Sequence, residues 1–194
     1  RFDMTRIGIT GGIGSGKSVV SRLLRIMGYS VYDTDSEAKR LMESSLEVVQ
    51  KLSECFGRDI YHNGRLNRGL LSSRVFGKSD KIVLLNSIVH PVVRFDFYRW
   101  SESLNEEICF VESAILYESR FDELVDEVWT VTAPEELRIS RVRQRSGLTE
   151  EEIKKRMAAQ LSEEEKQRRA AHIIWNDGNV SVIHRVLSLL KSLE

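Results

Sequence analysis

The fold is decided by one stretch near the start of the chain, Gly11-Gly12-Ile13-Gly14-Ser15-Gly16-Lys17-Ser18. It satisfies the pattern G-x-x-x-x-G-K-[ST], with an apolar run at 7–10 before it and helical periodicity at 19–27 after it. Glycines let backbone N–H groups turn inward around a phosphate, and the helix presents its unpaired amides to the same anion. Because a chance match arises in only about 1% of chains of this length, the stretch predicts a phosphate-binding loop.

The chemistry of such a loop assigns roles to its side chains. Lys17 places a positive charge at the β- and γ-phosphates of a nucleotide, and Ser18 offers a hydroxyl ligand to Mg²⁺. The residues that we assign to nucleotide binding in this region are Gly12, Ile13, Gly14, Ser15, Gly16, Lys17, Ser18 and Val19.

Outward from the loop, short apolar runs alternate with helical periodicity, which is typical of an α/β fold with a mainly parallel sheet. The predicted strands are 7–10, 29–32, 109–111, 128–131 and 173–175, and a closing amphipathic helix covers 180–193. We therefore expect a five-stranded parallel sheet of the phosphate-loop kinase type.

A long helical insertion interrupts this pattern. About 70 residues separate the second strand from the third, whereas a whole strand-helix-strand unit takes about 30. Helices are predicted at 37–43, 46–56, 68–76, 80–89 and 92–104, the last one opened by His90-Pro91. An insertion at the carboxyl edge of a sheet suits a second-substrate domain, and the alternative is that it only thickens the core. We expect 4–35 and 106–194 to form the nucleotide-binding core, with a lid at about 141–170, and 36–105 to form a helical acceptor-substrate domain.

Carboxylates follow two of the predicted strands, at the sheet edge where parallel sheets bind ligands. Asp33 and Asp35 come after the second strand, within a T-x-x-E capping-box pattern that begins at Thr34. Asp35 is then either a helix-stabilising acid in the first turn or a carboxylate directed at an acceptor hydroxyl. Glu112 ends the third strand, where an acid would support Mg²⁺ or its waters.

Basic residues are concentrated in the last third of the chain. Arg141 and Arg145 lie one helical turn apart with no acidic residue at i−4, so they form a cationic stripe suited to a lid over phosphates. Arg168 either joins this stripe or pairs with Glu164. Lys154, Lys155 and Arg156 have acidic partners at i−4 and indicate a solvated helix face.

Composition excludes several classes of protein. The 194 residues include 29 basic and 29 acidic side chains, which argues against a surface built for nucleic acid or anionic membranes. No apolar run approaches the roughly 20 residues of a membrane span, and we see no signal peptide. Two cysteines form neither a disulfide framework nor a metal pattern. We expect a cytoplasmic protein, monomeric or a small homo-oligomer, whose partners are small-molecule substrates.

The loop alone leaves the reaction open. A GTP-dependent switch would need a guanine-reading Asn-Lys-x-Asp segment, which the chain lacks. The length suits a small metabolite kinase better than a motor or large ATPase. A kinase acting on a nucleoside monophosphate or a shikimate-like alcohol and a non-catalytic nucleotide-binding regulator stay open as alternatives.

A family resemblance narrows this choice. The chain resembles the dephospho-coenzyme A kinases almost throughout, in Thr10–Ser18, in Asp33-Thr34-Asp35, in Ile88-Val89-His90-Pro91, in Arg141 and Arg145, and in Asn176-Asp177-Gly178. The resemblance implies a three-part kinase with a nucleotide core, a helical coenzyme A-binding domain and a lid. It also implies ATP as phosphoryl donor and the ribose 3′-hydroxyl of dephospho-coenzyme A as acceptor.

The resemblance also implies residue roles. Asp35 would be the catalytic carboxylate, assisted by Lys17 and Arg145 at the phosphates. Asp33, Asp35 and His90 would meet the acceptor, and Arg141 and Asn176 would lie near the adenine. Ser18 and Glu112 would serve Mg²⁺. The chain departs from the family where D-I-P-L-L-F-E is usual, with Glu112-Ser113-Ala114-Ile115-Leu116-Tyr117-Glu118 in its place, and this change bears on magnesium geometry rather than on the reaction.

Overall fold

The protein has the α/β architecture that the sequence predicts, as described by a computed structural model for residues 4–193. The chain forms two compact units, of which one runs up to Tyr32 and resumes at Leu104, and the other is Asp33–Ser103. The elements are, in chain order, β1 (Thr5–Thr10), α1 (Lys17–Ile26), β2 (Ser30–Asp33), α2 (Thr34–Ser44), α3 (Leu46–Phe56), β3 (Tyr61–His62), β4 (Arg65–Leu66), α4 (Arg68–Val75), α5 (Ser79–Ser103), β5 (Ile108–Glu112), β6 (Glu127–Thr132), α6 (Glu135–Ser146), α7 (Glu150–Ala158), α8 (Glu163–Arg169), β7 (His172–Trp175) and α9 (Val182–Lys191).

The first unit is built on a five-stranded parallel sheet in the order β2-β5-β1-β6-β7. All five predicted strands and the closing helix are confirmed. The register aligns Ile9 with Glu112 on β5 and Thr10 with Thr130 on β6. The loop that follows Thr10 therefore begins level with the carboxyl ends of its neighbouring strands.

Two apolar clusters support the first unit. The larger one joins the sheet to α1 and α9, and its buried members are Ile7, Ile9, Val20, Leu24, Phe110, Trp129, Val131, Ile174, Val186, Leu189 and Leu190. A smaller cluster of Ile139, Val142 and Ile153 joins α6 to α7, and the partly buried side chain of Ile13 packs against it. The apolar residue inside the phosphate loop is thus fixed by helices that lie more than 100 positions later in the chain.

The second unit is helical, with two departures from the sequence prediction. The expected break at His90-Pro91 is wrong, because α5 continues through Pro91 as one helix of 25 residues. Proline removes the N–H that would bond to the Ser87 carbonyl, but both Ser87 and Pro91 are exposed, so water can solvate that carbonyl. The buried face of α5, which includes Val89, Val93 and Phe97, is uninterrupted and outweighs the local cost.

The other departure is the short hairpin of β3 and β4, which the helical periodicity of this region does not predict. Asn63 and Gly64 form its turn with φ values of 50° and 75°. Asn-Gly is the dipeptide that such two-residue turns favour, so the signal was present in the sequence.

In the described part of the chain, no helix combines the length and apolar character that a membrane span requires.

The two cysteines differ in a way that alkylation can test. Cys55 is exposed, whereas Cys109 on β5 is fully buried and burial raises the pKa of its thiol to about 11. Because the thiolate is the reactive form, we expect iodoacetamide at pH 8 to modify Cys55 alone in the native protein and both cysteines in denaturant. Mass spectrometry gives the stoichiometry, and rapid native labelling of Cys109 would contradict the burial of β5.

Candidate active site

The phosphate loop connects β1 to α1 through left-handed backbone. Gly14 and Gly16 have φ values of 80° and 91°, a region that costs other residues about 1–2 kcal/mol. A Cβ atom on Gly16 would also collide with the side-chain amide of Asn176. The loop borders a cavity of about 170 Å³ lined by Gly12, Ile13, Gly14, Gly16, Lys17, Ser18, Arg141, Val142 and Arg145.

The backbone N–H groups of residues 12–18 of the loop divide into two sets. Gly12 donates to Glu163 Oε1 at 3.0 Å, and Ile13 donates to the side-chain oxygen of Gln160 at 3.0 Å. Ser15 donates to the carbonyl of Gly12 at 3.0 Å. Within residues 4–193, no protein acceptor receives the N–H groups of Gly14, Gly16, Lys17 and Ser18. This second set stands at the positive end of the α1 dipole and is available to an anion.

Two side chains donate hydrogen bonds to backbone carbonyl groups of the loop. Arg141 donates to the carbonyls of Gly14 and Ser15 at 3.4 Å each and to the Asn176 carbonyl at 2.7 Å. The Asn176 amide donates to the Ser15 carbonyl at 3.0 Å. The sequence offers Arg141 no acid at i−4, and within residues 4–193 backbone carbonyls rather than acids satisfy its guanidinium. The roles of Arg141 and Asn176 toward adenine stay predictions.

Lys17 and Glu112 face each other at the end of β5. Lys17 Nζ lies 3.8 Å from Glu112 Oε1, and the Glu112 side chain is only 9% exposed. Arg145 is exposed and lines the loop cavity, with no ion-pair partner in the described part of the chain. Lysine and arginine charges thus border the same cavity as the available amides.

The residues at this end of the sheet fit a magnesium ion that is shared with a substrate. Mg²⁺ takes oxygen ligands and in kinases usually keeps waters and phosphate oxygens, so it needs few protein ligands. Ser18 and Glu112 offer a hydroxyl and a carboxylate, and the contact of Glu112 with Lys17 places that carboxylate beside the loop. Across residues 4–193 no cluster of three or more histidine, cysteine or acidic side chains could hold a metal by itself.

Three further predicted site residues, Asp33, Asp35 and His90, belong to the second unit. The capping box predicted to begin at Thr34 is wrong, because Asp33 is the N-cap of α2 and accepts the N–H groups of Asp35 and Ser36 at 3.0 and 3.2 Å. Aspartate and threonine are both good N-caps, so the pattern alone did not fix the first helical residue. Asp35 is exposed, and it contributes only its backbone N–H to this cap, so its carboxylate is not used there. His90 is half-buried, and desolvation, followed by Arg94, lowers its pKa.

Three residues in or just before α8 that the sequence patterns did not indicate also contact the site: Gln160, Glu163 and Lys166. Gln160 and Glu163 bind the loop amides, and Lys166 is fully buried and donates to the Ala114 carbonyl at 3.0 Å. Desolvation lowers the pKa of Lys166, although Glu118 and Glu163 act in the opposite direction. A charged stretch such as Glu163-Glu164-Glu165-Lys166 is typical of a solvated helix, so its composition carried no signal for these contacts.

Two of the other basic residues, Lys154 and Arg168, have local acidic partners, one of them different from the partner expected. Arg168 bonds to Glu165 rather than to Glu164, with Nη2 2.6 Å from Oε1. Lys154 pairs with Glu150 at 2.8 Å, as predicted. Arg168 is therefore neutralised locally rather than part of a stripe at the loop.

Comparison with known proteins matches nearly all of the chain to one family. The CoaE family model, described as "Dephospho-CoA kinase", matches residues 5–181. The dephospho-CoA kinase of Porphyromonas gingivalis is 40% identical over 191 residues, covering 98% of this chain and 95% of that protein. The crystal structure of TT1252 from Thermus thermophilus has a TM-score of 0.87 and 36% identity over 98% of both chains. Dephospho-CoA kinase from Campylobacter jejuni, at 23% identity and a TM-score of 0.72 over 97% of this chain and 96% of that one, shares the fold.

Substitutions at Gly16 and Gly28 can distinguish the effect of backbone strain from the effect of displacing the loop, because the two glycines have similar φ values. Gly16 and Gly28 have φ values of 91° and 94°, but a Cβ atom meets Asn176 at Gly16 and nothing within 4 Å at Gly28. We expect Gly16→Ala and Gly28→Ala to lower stability by about 1–2 kcal/mol each through strain. Only Gly16→Ala should weaken nucleoside triphosphate binding, by about tenfold or more, because it displaces the loop. Calorimetric titration of the two variants measures this, and equal affinities would contradict the described loop.

Proposed function

The chain belongs to the dephospho-CoA kinase family, and we propose that the cavity at its phosphate loop binds ATP as the donor for this reaction. The reaction phosphorylates dephospho-CoA and is the last step of coenzyme A biosynthesis. The proposal rests on four amides, those of Gly14, Gly16, Lys17 and Ser18, which have no protein acceptor within residues 4–193 and lie at a cavity bordered by Arg145. Donors fixed in this way stabilise phosphate charge without reorganising during the reaction.

The basic side chains act on the phosphates. In a loose phosphoryl-transfer transition state, charge builds on the oxygens of the transferred group and on the leaving oxygen. Lys17 is tethered near Glu112 and reaches the same cavity, so its ammonium can follow the β- and γ-phosphates. Arg145 has no competing ion pair in the described residues and can bind phosphate oxygens when ATP is present.

Ser18 and Glu112 are the residues that would hold Mg²⁺. When bound, the ion would neutralise charge on the phosphate oxygens. The extra methylene of Glu112, compared with the aspartate usual in the family, still leaves its carboxylate beside Lys17.

The second unit, Asp33–Ser103, is proposed to bind dephospho-CoA. Support comes from its compactness as a separate unit with its own buried residues, among them Val48, Leu52, Ile60 and Phe97. A segment that only thickened the sheet core would not form such a unit. Remote contacts to an extended acceptor can orient its reacting hydroxyl.

Asp35 is proposed as the carboxylate that orients the ribose 3′-hydroxyl. In the reaction the hydroxyl oxygen forms a bond to the γ-phosphorus, and the bond from that phosphorus to the β–γ bridging oxygen breaks. The hydroxyl proton passes to Asp35 and then to solvent. Because Asp33 caps α2, Asp35 is not needed for that role and its exposed carboxylate is available.

Family membership removes the alternatives that the loop alone left open. A nucleoside monophosphate or shikimate-like kinase and a non-catalytic regulator both fit a phosphate loop. The chain is instead 40% identical, over 98% of its length, to a dephospho-CoA kinase, which supports neither of these alternatives.

The role of Asp35 can be separated from helix stabilisation. We expect Asp35→Asn to keep near-wild-type melting temperature and ATP affinity while turnover falls by about 10² or more, the scale of a positioned acid–base group. Glu37→Gln is the matched control, because Glu37 is the other acid in the first turn of α2. If both variants lost a little stability and kept full turnover, Asp35 would be only a helix-stabilising acid.

The identity of the acceptor is tested by competition among hydroxyl compounds. We expect dephospho-CoA to be phosphorylated far faster than AMP, adenosine or shikimate, because only it engages the whole second unit. Phosphorus NMR should place the new phosphate at the 3′ position, and an analogue without that hydroxyl should bind without turnover. Equal turnover of AMP would mean that the second unit does not recognise the pantetheine arm.

A further inference from the structure

A buried ion pair lies against the first half of the phosphate loop. Arg138 and Glu163 have side chains that are 5% and 15% exposed, with Arg138 Nη1 3.6 Å from Glu163 Oε1. Arg138 Nε donates to the Ile13 carbonyl at 3.1 Å, and Glu163 Oε1 accepts the Gly12 N–H at 3.0 Å. The pair therefore holds one donor and one acceptor of the loop backbone.

The fit between this ion pair and the loop is close. A Cβ atom on Gly12 would collide with both the guanidinium of Arg138 and the carboxylate of Glu163. A side chain at this position would therefore displace the Arg138 guanidinium and the Glu163 carboxylate from the loop, whether or not a phosphate is bound. The geometry indicates that the loop backbone is recognised by the protein itself.

Glu163 is in turn anchored to the sheet. Its other oxygen, Oε2, accepts a hydrogen bond from the Thr132 hydroxyl at 3.0 Å, at the end of β6, and Gln167 donates to the same hydroxyl oxygen at 3.2 Å. Gln160, one turn before Glu163, accepts the Ile13 N–H. Lys166, one turn after Glu163, donates to Ala114. The segment 160–167 is therefore bonded to the loop, to the end of β6 and to the residues just after β5.

We propose that Arg138, Gln160 and Glu163 are positioning residues that fix Gly12 and Ile13, so that only the later amides of the loop face the ATP phosphates. A glycine-rich loop has many accessible conformations, and these three side chains select one. None of them is placed at the reacting atoms, and each acts through the loop backbone. The inference rests on the proposed binding of ATP at this loop.

Glu163 is the member whose loss has the largest expected effect. Without its carboxylate, the buried Gly12 N–H loses its acceptor and the buried Arg138 loses its counter-charge, both of which are unfavourable. The loop can relieve this only by moving, and a displaced loop no longer aligns its amides with the phosphates. ATP binding and phosphoryl transfer should therefore weaken together, whereas acceptor binding should not.

The test compares Glu163→Ala with Glu164→Ala, its exposed neighbour on α8. We expect Glu163→Ala to raise the KM for ATP and the Kd of a non-hydrolysable ATP analogue by roughly tenfold and to lower kcat by about as much, with the KM for dephospho-CoA unchanged. Glu163→Gln keeps an acceptor oxygen for Gly12 and should recover part of the ATP affinity. Glu164→Ala should match the wild type in every parameter.

The outcomes separate the two proposals. If Glu163→Ala melts at a lower temperature but keeps wild-type KM for ATP and kcat while folded, the pair is purely structural and the inference is overturned. If wild-type protein does not bind ATP at the loop, the proposed function fails first. Should Glu163→Ala not fold, Gln160→Met decides, because it removes the single acceptor of the Ile13 N–H, and an unchanged Kd for the analogue would overturn the proposal.

Discussion

The backbone hydrogen bonds of the phosphate loop are the constraint on which the rest of the site depends. A glycine-rich loop has few side chains with which to fix its own shape, so its conformation must come from elsewhere in the fold. Glu163 and Gln160 take two of its N–H groups, and Arg141 and Asn176 bind its carbonyls. In the described part of the chain, the N–H groups of Gly14, Gly16, Lys17 and Ser18, near the positive end of α1, have no protein acceptor. The anion site thus consists of the loop N–H groups that the surrounding side chains do not accept.

The parallel sheet makes these contacts possible. Register places Glu112 beside Ile9 and brings Thr132 opposite Trp175, so the loop, the acidic end of β5 and Asn176 after β7 all belong to one edge of the sheet. The larger apolar cluster fixes α1 beneath the loop, and the smaller cluster fixes Ile13 within it. Apolar packing, hydrogen bonds and charges therefore all hold the loop at this edge of the sheet. This arrangement suits phosphoryl transfer, the reaction of the family to which the chain belongs.

The sequence predicted what is encoded locally. The loop was recognisable because glycine spacing, the preceding strand and the following helix all fall within about 20 residues, and the five strands followed from apolar runs. Errors occurred where two local rules competed. Asp33 and Thr34 are both good N-caps, and Pro91 disfavours a helix that the buried face of α5 nevertheless continues. The Asn63-Gly64 turn was a local signal that helical periodicity on either side obscured.

The contacts of Gln160 and Glu163 could not be predicted in this way. These residues lie 147 and 151 positions from the loop residues that they bind, and they occur in a charged stretch that resembles a solvated helix. Their role emerges only when folding brings α8 to the end of β6. The loop residues were therefore predictable from sequence, whereas the side chains that shape the loop were not.

Amide NMR during titration with a non-hydrolysable ATP analogue tests the division of the loop most directly. The account predicts large shifts and new hydrogen-exchange protection for the N–H groups of Gly14, Gly16, Lys17 and Ser18. The N–H groups of Gly12 and Ile13 should be protected before the analogue is added and should change little after it. Rapid exchange of Gly12 and Ile13 in the free protein, or their transfer from side-chain acceptors to the phosphates on binding, would contradict the account.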